Sequence, residues 1–139
     1  MSDNPALQSS LALIGRLLLA AMFILSGFGK LGDPSGTIGY IASAGLPLPP
    51  VAYAVALAVE IGAGILLVLG YRARWVALIL AAFTLASAIG FHTDFADQNQ
   101  MIHFMKNLAI TGGFLQIAAF GAGAFSLDGR VGRANREMG

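Results

Sequence analysis

The 139-residue sequence contains no cysteine, which removes disulfides, thiolate nucleophiles, cysteine-ligated zinc, iron–sulfur clusters and covalently attached haem, whichever compartment the loops occupy. Any redox role must therefore run through a bound cofactor or a partner. Charge is scarce as well: Asp, Glu, Lys and Arg make up 11% of the chain, against about 25% in an ordinary soluble domain. With a formal net charge of +1 and no Lys/Arg run interleaved with aromatics, the chain carries no electrostatic footprint for nucleic acid. It also has no phosphate-cradling glycine loop, no nucleophile–base–acid arrangement and no metal-ligand pattern. Internal repeats and low-complexity stretches are absent.

What is present is apolar: 57% of residues are hydrophobic and the mean hydropathy is +0.76. A water-soluble fold of this size cannot hide that much apolar surface, so the chain is expected to be an all-α integral membrane protein, one domain over residues 1–139. Crossing a hydrocarbon core takes about 20 apolar residues in a helix. Four segments qualify, approximately 10–31, 51–70, 75–91 and 102–120. They predict a four-helix bundle. The first ten residues hold Asp3 and no Lys or Arg, and no small-x-small cleavage site follows, so the first segment is expected to be a retained span rather than a signal peptide.

Between spans 1 and 2, Asp33-Pro34-Ser35-Gly36 has the form of a helix start and Gly45-Leu46-Pro47 that of a stop. The spacing predicts a short interfacial helix with Ile38 and Ile41 on one face. The link 71–74 is so short that spans 2 and 3 must be antiparallel neighbours, and 93–101 is a polar connector. Arg72 and Arg74 in that link, and Arg130, Arg133 and Arg136 in the tail 125–139, fall on one side of an even number of spans. Lys30 and Lys106 are the cations of the other side. The positive-inside rule then places both termini in the cytoplasm.

Lipid tails are as apolar as leucine, so the bundle must be held by close packing through small residues. Ala54, Ala58 and Gly62 form one stripe at four-residue spacing, Ala82, Ala86 and Gly90 another, and Gly112 and Gly113 open a slot in the last span. These are expected to be the helix contacts.

Polar residues inside the spans are the candidates for chemistry, because an ionisable group mid-membrane costs roughly 2.5–3.5 kcal/mol on insertion scales. Glu60 lies about nine residues into span 2, roughly 13 Å along the axis at 1.5 Å per residue, and must be paired or protonated. Arg16, Phe23, Gly27 and Lys30 share one helical face. His103, Lys106, Asn107 and Thr111 form a polar stripe on the last span, and His92 closes the third. Lys30, Glu60, His92, His103, Lys106 and Asn107 are expected to meet in the external half of the bundle, with Arg16 nearer the cytoplasmic face. Three readings stand side by side: an ion-pair network that only fixes helix register, a pocket that binds a polar head group or moves protons, and plain snorkelling of Lys30 and Lys106 to the surface. Two histidines without carboxylate or cysteine spacing do not amount to a metal or haem site.

With these residues laid out, the chain resembles the DoxX family of small bacterial inner-membrane proteins over about residues 11–128. The resemblance rests on Arg16, Gly27-Phe28-Gly29-Lys30, Gly45-Leu46-Pro47, Glu60 with Gly64, Gly70 and Arg74 beyond, His92, Lys106-Asn107-Leu108-Ala109 and Ser126-Leu127-Asp128. It implies a four-helix membrane bundle in the bacterial inner membrane. For some relatives it implies association with quinol oxidase, thiosulfate:quinone oxidoreductase or antioxidant complexes. It supplies no agreed catalytic residues.

Three functions follow from these readings. The first is an accessory or scaffold subunit of a membrane redox or stress-response complex, with redox-complex subunits and the lipid bilayer as partners and no chemistry of its own. The second is a quinone-binding oxidoreductase subunit in which His92, His103 and Lys106 hold the head group and Glu60 passes protons. The third is a small-molecule transporter, which would have to be a homo-oligomer.

Overall fold

The structure, a computed structural model, describes residues 4–139. The first helix, α1, spans Pro5–Gly32, five residues earlier than hydropathy suggests. The reason is local. The Asn4 side chain accepts a hydrogen bond from the Leu7 amide at 3.1 Å and Pro5 occupies the first helical position, where its missing N–H costs nothing. The helix stops at Asp33, which precedes a proline and is pushed out of the helical region. Asp33 then starts the next helix, α2 (Pro34–Ser43), by accepting from the Gly36 amide at 3.1 Å. Ile41 of α2 is buried and Ile38 half-buried, as the spacing predicts, and Tyr40 stacks on Phe91 with ring centroids 5.3 Å apart.

Helix α3 covers Pro49–Leu69 and contains a π-helical stretch, Ala58–Ala63, with Glu60 inside it. It ends at Gly70, whose φ of +67° suits glycine; a Cβ there would also strike Ser126 and the Arg16 guanidinium. After a two-residue turn, α4 runs Ala73–Phe91. Asp97 caps α5 (Gln98–Phe120) by accepting from the Asn99 amide at 2.9 Å. The tail forms a further helix, α6 (Leu127–Met138), capped by Ser126, which accepts from Gly129 N. All regular structure among the described residues is helical.

Helices α1, α3 and α4 are long and apolar enough to cross a membrane. Helix α5 is long enough, but its first turns carry Gln98, Asn99, Gln100, His103, Lys106 and Asn107, and these keep it out of that set. It packs along the length of α4 in the most extensive helix pairing of the molecule. The core is small: Ala20 and Phe23 of α1, Leu67 of α3, Val76, Ala77, Leu80 and Ala81 of α4, and Phe114 of α5. Phe23 and Phe114 meet edge to face at 5.3 Å, a geometry that aligns the positive ring edge with the negative face. Around this centre Leu18, Leu25, Ile79, Ile89 and Leu115 are among many large apolar side chains that stay exposed, the surface a bilayer would solvate.

The small-residue contacts are not where four-residue spacing alone puts them. Ala54, Ala58, Gly62 and Ala82 are exposed, and a Cβ on Gly62 would meet nothing within 4 Å. The buried stripe of α3 is instead Ala56, Glu60, Gly64 and Leu67, and that of α4 is Ala73, Ala77, Ala81, Thr84 and Ala88. The polar residue decides. A helix that carries one carboxylate turns that side away from lipid, and residues two positions off point to the far side. In α5, Gly113 faces Leu19 while Gly112 faces open space.

Candidate functional site

Helices α1 and α3 approach closely where Gly27 lies against Glu60 and Ile61: a Cβ on Gly27 would stand 3.2 Å from the Glu60 Cβ and closer still to Ile61. That approach, and the extra residue that the π stretch inserts into one turn, aim the Glu60 side chain at α1. π-helical turns are rare and, where they interrupt an α-helix, frequently mark functional sites. Lys30 Nζ donates to Glu60 Oε1 at 2.8 Å. It also donates to Ser26 Oγ at 2.9 Å, and Ser26 Oγ in turn donates to Glu60 Oε1 at 3.2 Å. The Tyr53 hydroxyl fixes the end of α1 by donating to the Lys30 carbonyl at 3.0 Å. Glu60 is 5% exposed, and its second oxygen, Oε2, is buried with no hydrogen-bond partner. Such an orphan acceptor is costly in a low-dielectric interior.

The pair opens onto a cavity of about 500 Å³. Phe23, Tyr40, Ile41, Leu46, Phe83 and Phe91 give it apolar walls, and Ser26, Lys30, Thr37, Glu60, Thr84, Ser87, His92 and Asn107 supply polar groups. Asn107 is held by its own bond, Nδ2 donating to the Thr84 carbonyl at 3.3 Å. His92 caps the end of α4 and stacks on His103, ring centroids 5.1 Å apart. Burial first, and the neighbouring His103 second, lower the His92 pKa below the ordinary histidine value.

Of the seven polar residues singled out from sequence, Lys30, Glu60, His92 and Asn107 line this one cavity. His103 stands behind His92 and is exposed, and Lys106 is exposed too; neither lines the cavity. Arg16 is 2% exposed and lies at the other end of the bundle. It donates to the carbonyls of Ala122, Val68 (3.3 Å) and Phe125 (2.8 Å), drawing the loop after α5 onto α1 and α3. Sequence reasoning missed four further polar residues of the lining, Thr37, Ser87, Ser26 and Thr84. Ser26 sits one turn before Lys30, and Thr84 is the polar member of the buried α4 stripe, so both were findable once the inward faces were known. The stacked imidazoles present faces to each other, so their in-plane nitrogens do not converge on a common point. Among the described residues no group of three or more His, Asp or Glu gathers as metal ligands would.

Comparison with known proteins finds a matching family and similar proteins. The DoxX family model matches residues 11–93, which carry α1 to α4 and the Lys30–Glu60 pair. Two curated Escherichia coli proteins are similar over most of their length. Inner membrane protein YqjF is 40% identical over 119 residues, 84% of this chain and 88% of its own. Inner membrane protein YphA is 41% identical over 133 residues, covering 92% and 95%. No solved structure matches.

Proposed function

This chain belongs to the DoxX family, and on that premise we propose that it is an accessory subunit of the bacterial inner membrane that holds a lipid-soluble molecule with a small polar head, of the quinone class, for a redox partner. The observation that carries the proposal is the cavity of about 500 Å³ lined by Glu60, a carboxylate whose Oε2 is buried and has no partner. That volume lies within the roughly 300–1,000 Å³ usual for small-molecule sites, and apolar walls with a few placed polar groups are their usual lining. A purely structural ion pair needs neither the cavity nor the free acceptor. The donor set suits a ring that changes between carbonyl and hydroxyl: Lys30 and His92 can donate to a carbonyl oxygen, and the Glu60 carboxylate can accept from a hydroxyl. No residue arrangement for bond-making chemistry accompanies them, so the electrons belong to the partner.

In this reading α5 is the fourth span, with Asn107 of its polar first half turned to the cavity and its apolar second half in lipid. The inner-membrane location is supported by the two E. coli relatives named for it. Arg72, Arg74 and Arg136 lie around one groove at the end of the molecule away from the cavity, which by the positive-inside rule is the cytoplasmic end, with both termini. A reporter fused after Gly139 should be active only if it is cytoplasmic.

A short-chain benzoquinone or naphthoquinone added to the detergent-purified protein is expected to raise its melting temperature; at about 100 Kd the stabilisation is about 2.7 kcal/mol. Glu60→Gln and Lys30→Met should abolish the rise. No rise with the wild-type chain defeats the quinone proposal. A rise that survives Glu60→Gln unchanged leaves the pair with a structural role only.

A further inference from the structure

At the opposite end from the cavity, a groove of about 580 Å³ lies between the α3–α4 turn, the end of α5 and the first turns of α6. Three guanidinium groups line it, Arg72, Arg74 and Arg136, against one carboxylate, Asp128. That carboxylate is occupied: its two oxygens accept from the backbone amides of Arg72 and Ala73, each at 2.8 Å. Arg74 directs Nη1 at the Ala119 carbonyl at 2.9 Å and keeps its other donors. Lys30–Glu60 is the one ion pair among the described residues, so none of the three arginines has a carboxylate partner. Three positive groups less one negative leave the groove at +2.

The rim of the same groove is apolar. Trp75 and Phe120 line it and are 69% and 78% exposed, the positions that aromatic anchors take where hydrocarbon meets head groups. Helix α6 fits that level. Leu127, Val131, Ala134 and Met138 follow four-, three- and four-residue steps along one face, and Leu127, Val131 and Met138 are exposed. Gly129, Gly132 and Arg136 occupy the opposite face and line the groove. Gly129 is needed for that close seat, since a Cβ there would collide with the carbonyl oxygens of Gly123 and Ala124. Arginine forks match phosphate oxygens bidentately, and an apolar rim gives acyl chains a surface that a free phosphate ion does not use.

We propose that this groove is a binding site for an anionic phospholipid, its phosphate held by Arg72, Arg74 and Arg136 and its acyl chains laid against Trp75 and Phe120. The site anchors α6 to the membrane surface and is independent of the cavity around Glu60. Native mass spectrometry of the full chain, with phosphatidylglycerol or phosphatidylcholine added at equal concentration, tests it. The wild-type chain should retain phosphatidylglycerol at least tenfold over phosphatidylcholine. The triple variant Arg72→Gln, Arg74→Gln, Arg136→Gln should lose that preference, whereas Arg130→Gln with Arg133→Gln, on the same helix but outside the groove, should keep it. Because Arg74 also bonds the fold, Arg136→Gln alone is the cleaner variant, with a loss of roughly fivefold, the size expected for one basic group at a lipid surface, and an unchanged melting temperature. Equal retention of the two lipids by the wild type overturns the site. So does loss in the Arg130/Arg133 variant as great as in the triple, and so does displacement of the lipid by millimolar inorganic phosphate.

Discussion

The two ends of the bundle each bury a charge, and they treat it differently. At one end both Nη atoms of Arg16 donate to the carbonyls of Ala122, Val68 and Phe125, and the loop after α5 closes over it. Its Nε alone is left without a partner and lines neither the cavity nor the groove. At the other, Glu60 lines a cavity, satisfies one oxygen through Lys30 and Ser26 and leaves the second without a partner. A charge in lipid is expensive wherever it sits. When the surrounding backbone consumes its hydrogen-bonding capacity, the charge is a fastener. When capacity is left over beside open space, the fold has kept something for a ligand. On this comparison the Arg16 end should be intolerant of change and indifferent to added quinone, and the Glu60 end the reverse.

The largest effect is therefore expected from Arg16→Leu. It orphans three carbonyl oxygens, that of Ala122 buried and those of Val68 and Phe125 partly buried, at about 1–3 kcal/mol each, partly offset by better lipid solubility, for a net loss of about 3–5 kcal/mol in equilibrium unfolding in mixed micelles. The fraction that still folds should keep the full melting-temperature response to quinone. A loss below about 1 kcal/mol, or a lost response in folded protein, would erase the distinction between the two ends.

A smaller effect sharpens the same side. Asp128 accepts from the first two amides at the start of α4, Arg72 N and Ala73 N, and so joins the tail helix to the α3–α4 turn. Asp128→Ala should cost about 1–2 kcal/mol, the upper range for a lost helix cap, with no change in ligand response. If stability is unaltered, the Arg16 end is held by the arginine alone.

The sequence made the helices legible because a 20-residue apolar run in lipid has one way to satisfy its backbone. It also made Glu60, Lys30 and Arg16 legible, since each is a polar residue where lipid penalises one. The inward faces were less so. Four-residue spacing of Ala54, Ala58 and Gly62 is as regular as that of Ala56, Glu60 and Gly64, and only the requirement that Glu60 be shielded separates them. The π stretch at Ala58–Ala63 has no sequence signal of its own; it coincides with the close seat of Gly27 against Glu60 and Ile61. Asp128 and its helix α6 lie in a polar tail that contacts a turn more than fifty residues earlier, a pairing that no local pattern encodes.

The smallest expected effect concerns His92, on the wall of the cavity. Its pKa is lowered in the folded protein, by burial and then by His103, while the unfolded chain keeps the ordinary value of about 6.5. Below that pH the unfolded state takes up a proton that the folded state refuses, so stability falls as pH drops and levels off once the folded-state pKa is passed. Melting temperature should be flat from pH 8 to 7 and decline between pH 6.5 and 5.5, with the decline reduced in His92→Gln and partly reduced in His103→Gln. A bound quinone that takes a hydrogen bond from neutral His92 should leave the decline in place, whereas one that requires the imidazolium should shrink it, because binding would then carry the proton into the folded state. An identical pH profile for wild type and His92→Gln would remove His92 from the cavity's electrostatics and leave the Lys30–Glu60 pair as its one charged element.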